Sequence, residues 1–244
     1  MKLILSIILL FFFSVTSYSQ GDLYNGIHIY NNNERSFGID FISNGMGFNY
    51  KIGKRVDGRR KNIYQLDFSW FKHPKEIKIK TYDSGNRFVY GKMNFPSNFR
   101  LSIGKQKVLY ERKDRNGVKI SYFYTGGVSL ALLKPVYYYI ITGGILTEQR
   151  FDITEIHTYS QIHSRASFFK GFNEISVVPG ASLKLGFDFD FATSDDKIHA
   201  LEAGACLDVY YKELEIMATE NNNMILFTLF VTYRFGKITK MSIN

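Results

Sequence analysis

The last strand-like segment constrains the fold more than any other part of this sequence. Residues 223–237 read NMILFTLFVTYRFGK, with large apolar side chains at every second position. Because β-strand side chains alternate between two faces, one face is wholly apolar and carries Ile225, Phe227, Leu229, Val231, Tyr233 and Phe235. Such a face, ending in aromatic residues, is typical of the closing strand of a β-barrel whose outer surface contacts lipid.

The same alternation predicts seven earlier strands. They span residues 36–43, 46–54, 62–72, 99–112, 118–133, 174–191 and 199–212. The phase of the fourth strand slips between Ile103 and Val108, and we expect a β-bulge near Gly104 to accommodate the slip. The fold class predicted is all-β, a transmembrane antiparallel up-and-down β-barrel of about eight strands.

The connections between these strands alternate in length. Short turns are expected at Asp57-Gly58, Asn116-Gly117 and Ser194-Asp195, and long loops at 73–97, 134–173 and 213–222. Outer-membrane barrels have short periplasmic turns and long outer loops, so this order places both chain ends in the periplasm. The tight turn at Asn44-Gly45 is the exception, because it would be a very short outer loop.

The first residues predict export. Lys2, an apolar stretch and then Ser14, Thr16 and Ser19 match a secretory signal peptide at 1–19, which leaves one barrel domain at 20–244. A membrane-anchoring helix is the alternative, but the apolar stretch is shorter than the roughly 20 residues that span a bilayer.

The net charge and the cysteine content limit the possible binding partners and the possible disulfides. The chain carries a formal charge of +9, and an exported basic protein is expected to meet lipid phosphates, lipopolysaccharide or acidic proteins, with no nucleic acid. The sequence is equally compatible with a basic surface that binds no partner. Cys206 is the only cysteine, so no intramolecular disulfide can form. No cofactor is expected.

A soluble lipocalin-like barrel would also have eight up-and-down strands. Its apolar side chains would point inward. Here the phases opposite the large apolar residues carry Gly, Ser, Lys and Asp, which a soluble protein would not place in its core. The membrane interpretation is therefore favoured.

Three segments resemble the small outer-membrane β-barrel proteins of Bacteroidota, a Gram-negative group: the early SYSQ, the run HALEAGACLDVYYKELEIMATENNN and the closing VTYRFGK. The resemblance covers essentially all of residues 20–244 and indicates a barrel rather than a chemistry. It implies insertion by the barrel-assembly machinery, with the last strand as recognition element. It also implies a role as a non-enzymatic structural or interaction subunit of a barrel-assembly or secretion complex.

The inward phases carry charged residues. They are Asp40, Lys51, Asp67, Arg100, Lys119, Lys184, Asp188, Glu202, Asp208 and Arg234. An eight-stranded barrel has interior space only for side chains, and unpaired buried charges are costly, so we expect a plug of ion pairs. A narrow channel is the alternative.

Loop residues suggest a second alternative, an acyl hydrolase acting on lipid A or another outer-membrane lipid. Glu155, His157, His163 and Ser164 lie in the longest loop, and such hydrolases use a Ser, a His and an acidic residue. Nothing in the spacing secures the required geometry, and these residues are ordinary in solvated loops. No catalytic residue and no metal site is predicted.

A basic run follows Trp70 and Phe71 and contains Lys72, Lys75, Lys78 and Lys80. Lysines just beyond interfacial aromatic residues could contact lipopolysaccharide phosphates. A solvated basic face is the other interpretation. The expected protein is thus a monomeric barrel of the outer membrane that contacts envelope proteins and lipid.

Overall fold

A computed structural model describes residues 32–80, 87–112, 117–142, 144–151, 161–194 and 196–240. The strands in chain order are β1 Asn32–Ile42, β2 Gly45–Arg55, β3 Arg60–Phe71, β4 Lys78–Lys80, β5 Arg87–Val89, β6 Asn94–Tyr110, β7 Lys119–Pro135, β8 Tyr137–Thr142, β9 Ile145–Arg150, β10 Ile162–Arg165, β11 Ser176–Asp190, β12 Lys197–Tyr210 and β13 Ile225–Lys240. The segment predicted as a signal peptide and the turn at 113–116 lie outside the described residues.

Eight of these strands form a closed antiparallel barrel, which confirms the predicted fold class. Going round the barrel, the strands follow chain order as β1, β2, β3, β6, β7, β11, β12 and β13, and β13 pairs with β1 to close the sheet. The closing register runs from Asn32 opposite Lys240 to Ile42 opposite Phe230. Closure leaves no free edge along this shared length.

The connections between the strands differ at the two ends of the barrel. At the turn end, β2 and β3 are joined by residues 56–59, and Val56 N–H donates to the Arg60 carbonyl at 2.9 Å. At the outer end, the connections 72–93 and 136–175 contain strands of their own. These form a two-stranded sheet of β4 and β5 and a three-stranded sheet in the order β10, β8, β9. The described residues of the 134–173 segment, predicted as the longest loop with a possible strand extension at 136–141, thus contain the three strands β8, β9 and β10.

The predicted bulge near Gly104 is wrong. Gly104 sits in regular register between Ile63 and Thr125, and the irregularity lies between Val108 and Tyr110. Val108 is buried inside the barrel while Leu109 and Tyr110 both face outward. A glycine suits position 104 because a Cβ there would lie only 2.0 Å from the Tyr124 carbonyl oxygen.

Candidate functional site

Inside and outside of the barrel have opposite chemistry. The closing strand exposes Phe227, Leu229, Val231, Tyr233 and Phe235 on the outside, whereas Thr228, Thr232 and Arg234 are buried within. Outward apolar residues likewise cover the other barrel strands, among them Phe41, Phe48, Phe68, Leu101, Val128, Leu185 and Leu207. An apolar outer surface around a charged interior is stable only with acyl chains around it.

The soluble alternative is thereby excluded, because its core would have to hold the charges. The protein is an outer-membrane β-barrel. No helix in the described ranges is long and apolar enough to cross a bilayer. In such barrels the long connections face the cell exterior, so the outer end defined above lies beyond the outer leaflet.

Comparison with known proteins adds structural neighbours but no family. No protein-family model matches the chain, and neither does any curated protein. The attachment invasion locus protein Ail of Yersinia pestis, in a structure with the heparin analogue sucrose octasulfate, is 8% identical, with 86% of this chain and 100% of that chain covered and a TM-score of 0.43. Neisserial surface protein A is 9% identical, covers 86% and 96%, and has a TM-score of 0.39. A major outer membrane protein from Thermus thermophilus is 12% identical, covers 84% and 99%, and has a TM-score of 0.41. At these scores, no property of the neighbours transfers to this chain.

Ion pairs cross the barrel interior between strands that are distant in sequence. The central group joins β2, β11, β12 and β13: Lys51 pairs with Glu202, and Arg234 pairs with Asp188 and lies 3.0 Å from Glu202, measured from Nε to Oε1. All four side chains are at most 2% exposed. Each carboxylate therefore faces a cation across the lumen, as a buried charge requires.

A second group lies nearer the outer end. Arg100 on β6 holds Asp208 on β12 through two hydrogen bonds, from Nε to Oδ1 at 2.8 Å and from Nη2 to Oδ2 at 2.7 Å. Lys184 on β11 reaches Asp67 on β3 at 3.0 Å. The forked geometry of a guanidinium against a carboxylate fixes orientation as well as distance.

Aromatic rings separate these groups. Phe123 and Phe230 point inward with ring centroids 6.4 Å apart, and the ammonium groups of Lys51 and Lys184 lie over them at 4.3 and 4.4 Å from the ring centroids. Cations over ring faces gain attraction from the ring quadrupole. The rings and cations together fill the cross-section of the barrel.

Two pairs at the turn end complete the interior. Lys119 pairs with Asp190 at 2.9 Å, and Lys61 with Glu34 at 2.5 Å. Glu34 and Lys61 were missed from the sequence because the predicted strands began at 36 and 62. Extending each alternation by one more inward position would have found them.

The outer end of the interior is closed by apolar side chains. This apolar plug consists of Phe71, Ala131, Leu133, Val178, Tyr210, Leu214, Ile216 and Met217. The last three come from the 211–224 connection, which folds back over the barrel mouth. Met93 N–H donates to the Ile216 carbonyl at 2.9 Å, so this connection is joined to the 72–93 segment.

A second apolar cluster lies beyond the plug and supports the outer sheets. It contains Phe88, Val136, Tyr138, Ile140, Phe151 and Ile162. The Tyr138 hydroxyl lies within hydrogen-bond distance of the carbonyl oxygens of Val89 (2.9 Å) and Lys92 (3.0 Å), and burial raises the pKa of this phenol. Lys92 pairs with Glu76 at 2.5 Å, and burial lowers the pKa of its ammonium although Glu76 opposes the shift.

The residues suggested for a hydrolase do not assemble in the described part of the chain. Glu155 and His157 lie outside it. Ser164 is buried on β10 whereas His163 beside it is half-buried, because neighbouring strand residues point to opposite faces. A nucleophile and base need a shared hydrogen bond, and side chains on opposite faces of a strand point away from each other. Within the described ranges, no cluster of His, Cys, Asp and Glu could hold a metal ion.

The four lysines of the basic run divide into two sets. Lys72 and Lys75 directly follow β3 at the barrel rim, whereas Lys78 and Lys80 lie on β4 in the two-stranded outer sheet. Lys75 Nζ lies 2.7 Å from Glu220 Oε2, in an exposed ion pair. The set at the rim is close to the lipid-facing surface, and the set on β4 belongs to the outer sheets.

Proposed function

We propose that this protein is a non-enzymatic interaction subunit of an envelope complex, of the barrel-assembly or secretion type, in the outer membrane of a Gram-negative bacterium. Export by the predicted signal peptide and an origin in Bacteroidota are part of this proposal. The barrel anchors the chain, and the outer sheets provide the surface that partner proteins contact.

The observation that carries the proposal is the apolar tip of the β8–β9 hairpin. Ile145 and Leu146 are 68% and 54% exposed, and Ile141 beside them is also exposed. The hairpin starts after Pro135, the last residue of β7, and belongs to a sheet separate from the barrel. Large apolar side chains grouped in water mark a surface for protein contact.

A crosslinking comparison tests the role. A tagged chain carrying Ile145→Ser and Leu146→Ser should lose the proteins that crosslink to the wild type in native membranes, because the tip no longer buries apolar area. Val56→Ser is the matched control, since Val56 is 62% exposed in the turn at the other end of the barrel. Recovery of the wild type alone, or of the same partners with the hairpin variant, would refute the proposal.

The channel alternative fits the structure less well. Ion pairs and rings span the lumen, and the apolar plug closes its outer end. We expect no stepwise conductance from the wild type in planar bilayers. Regular unitary steps would favour the channel instead.

Outer-leaflet lipid, and lipopolysaccharide in particular, is the proposed non-protein partner. The lysines at the outer rim lie where its phosphates would be found, beside lipid-facing apolar side chains. This contact is independent of the proteins that the hairpin binds.

A further inference from the structure

The barrel wall has a gap at its outer rim. The β1–β2 hairpin ends at Ser43 and Asn44, and β3 ends opposite it at Phe71, whereas β13 extends beyond the hairpin to Ile225. Ser43 N–H donates to the Leu229 carbonyl of β13, and Lys72 N–H to the Asn44 carbonyl, both at 2.9 Å. Above the hairpin, β13 and the segment after β3 are separated by the width of two missing strands, which is three strand spacings or roughly 14 Å.

This gap, which we call the rim notch, encloses a cavity of about 410 Å³ that is open to one side. Asn44 forms its floor, residues 72–75 one wall and residues 225–227 the other wall. Leu214 and Ile216 of the apolar plug close it at the back, so it does not continue into the lumen. The volume falls in the ~300–1,000 Å³ range of small-molecule sites.

The β13 wall combines an apolar face with backbone polar groups. Phe227 and Ile225 point toward lipid and are 61% and 58% exposed. The pairing of β13 with β1 ends at Leu229, whereas its pairing with β12 continues to Ile225. Since alternate residues of an antiparallel strand direct backbone groups to the same neighbour, Phe227 and Ile225 direct theirs into the notch.

The opposite wall is basic. Lys72 is exposed, and no carboxylate in the described residues forms an ion pair with it. Lys75 makes the pair with Glu220, but an exposed pair of this kind is weak and can be exchanged for a stronger anion. An anion in the notch would meet Lys72, Lys75 and the N–H groups of the β13 wall.

We propose that the rim notch binds the phosphorylated glucosamine headgroup of lipid A, the lipid portion of lipopolysaccharide. The headgroup phosphate lies against Lys72 and Lys75, and the sugar's hydroxyl and amide groups meet the backbone groups of Phe227 and Ile225. An acyl chain leaves the notch along Phe227 and Leu229, which face the bilayer. The notch opens at the outer leaflet, where lipopolysaccharide is the resident anionic lipid.

A peptide strand added to β13 is the competing occupant, and the geometry favours it less. Only Ile225 and Phe227 direct backbone groups into the notch, so a strand would gain few hydrogen bonds. It would also leave Lys72 without an anion. The proposal deepens the lipid contact above and does not depend on the hairpin's protein partners.

The test measures lipid A binding by the purified full barrel in phosphatidylcholine nanodiscs. Lys72→Gln should weaken binding of phosphorylated lipid A about fivefold, as expected for one lysine near a lipid phosphate. The same change should leave the binding of chemically dephosphorylated lipid A unaltered. Asn221→Trp, which fills the notch, should weaken the binding of both lipids.

Lys78→Gln is the matched control, because it removes the same charge from β4 outside the notch. Equal binding by wild type and Lys72→Gln overturns the proposal, and so does an equal loss in Lys78→Gln. Competition by phosphatidylglycerol as strong as by lipid A, or a photo-crosslinker at Asn221 that captures a peptide in place of lipid, also overturns it. The Ile145→Ser, Leu146→Ser variant should bind lipid A normally, so failure of this inference and of the proposed protein role can be distinguished.

Discussion

The barrel interior consists of two sections with opposite chemistry. The central section is ionic, with Arg234, Glu202 and Lys51 in direct contact across the lumen. The outer section is the apolar plug, in which Phe71, Ile216 and their neighbours exclude charge. Both are buried to the same degree.

The two sections differ in the contacts that each needs from neighbouring side chains. A buried ion pair is sensitive to geometry, and losing one partner leaves an uncompensated charge. Apolar contacts have no direction, so the plug can be formed by a connection that folds back from outside the sheet. The ionic section therefore fixes how the strands face one another, and the plug seals the end.

The largest expected effect comes from Arg234→Met in the ionic section. Both Asp188 and Glu202 would lose their shared cation, and we expect the free energy of unfolding to fall by about 3–5 kcal/mol. Urea titration in lipid vesicles, followed by the heat-modifiable gel shift and by fluorescence of the single tryptophan, measures the change.

Arg60→Met provides the matched control. Arg60 Nε lies 3.8 Å from Asp57 Oδ2 in an exposed turn, so the same substitution should change stability by only about 0–1 kcal/mol. If both variants lose equal stability, the ionic section does not fix how the strands face one another, and in this respect it does not differ from the apolar plug.

A smaller loss is expected in the plug. Ile216→Ala removes buried apolar volume, and we expect a cost of about 2 kcal/mol, at the low end for such changes because Ile216 lies in a connection that can relax. The same titration measures it. Ile216→Val should lose less than half as much, and a cost above that of Arg234→Met would reverse the order of the two sections.

Strand parity alone assigns the members of the ionic section to the inner face of the barrel. Once Phe227 and Leu229 face lipid, Thr228 and Arg234 must face inward, and the same logic applies to Asp188 and Glu202. Strand parity gives the face of the sheet on which a side chain lies, but not the residue with which it forms an ion pair. That Arg234 meets two carboxylates on different strands depends on register and barrel curvature, which no local pattern contains.

The plug and the rim notch could not be predicted, for a related reason. Leu214 and Ile216 alternate with Glu213 and Glu215 over only four residues, and their burial depends on where that connection folds. The notch exists because β13 extends past the end of the β1–β2 hairpin. Its tight turn at Asn44-Gly45 was visible in the sequence as an exception, which was the one available signal.

Asp40→Asn tests whether burial or ion pairing determines the cost of losing a carboxylate in the ionic section. Asp40 accepts hydrogen bonds from Asn49 Nδ2 at 2.6 Å and from the Thr232 hydroxyl, and the described residues give it no ion pair. An asparagine carbonyl can accept the same bonds, so we expect a change below about 1 kcal/mol. Asp208→Asn removes the negative charge and replaces one of the two oxygens that accept from Arg100 with an NH2 group, so it should cost several times more in the same assay. Equal costs would show that burial, and not pairing, determines the effect.

The smallest effect concerns the ion pair of Lys92 and Glu76 beside the plug. Burial lowers the pKa of Lys92, so the folded chain releases this proton at a lower pH than the unfolded chain does. Between that lowered value and the ordinary lysine pKa of about 10.4, the unfolded state binds more protons, and stability therefore rises with pH. Lys92→Met cannot titrate, so the stability of the wild type relative to this variant should rise as the pH increases toward the ordinary lysine pKa of about 10.4. A fall in this relative stability with rising pH would mean that attraction to Glu76 raises the pKa of Lys92 more than burial lowers it. The stability of the outer end would then also depend on a charged pair.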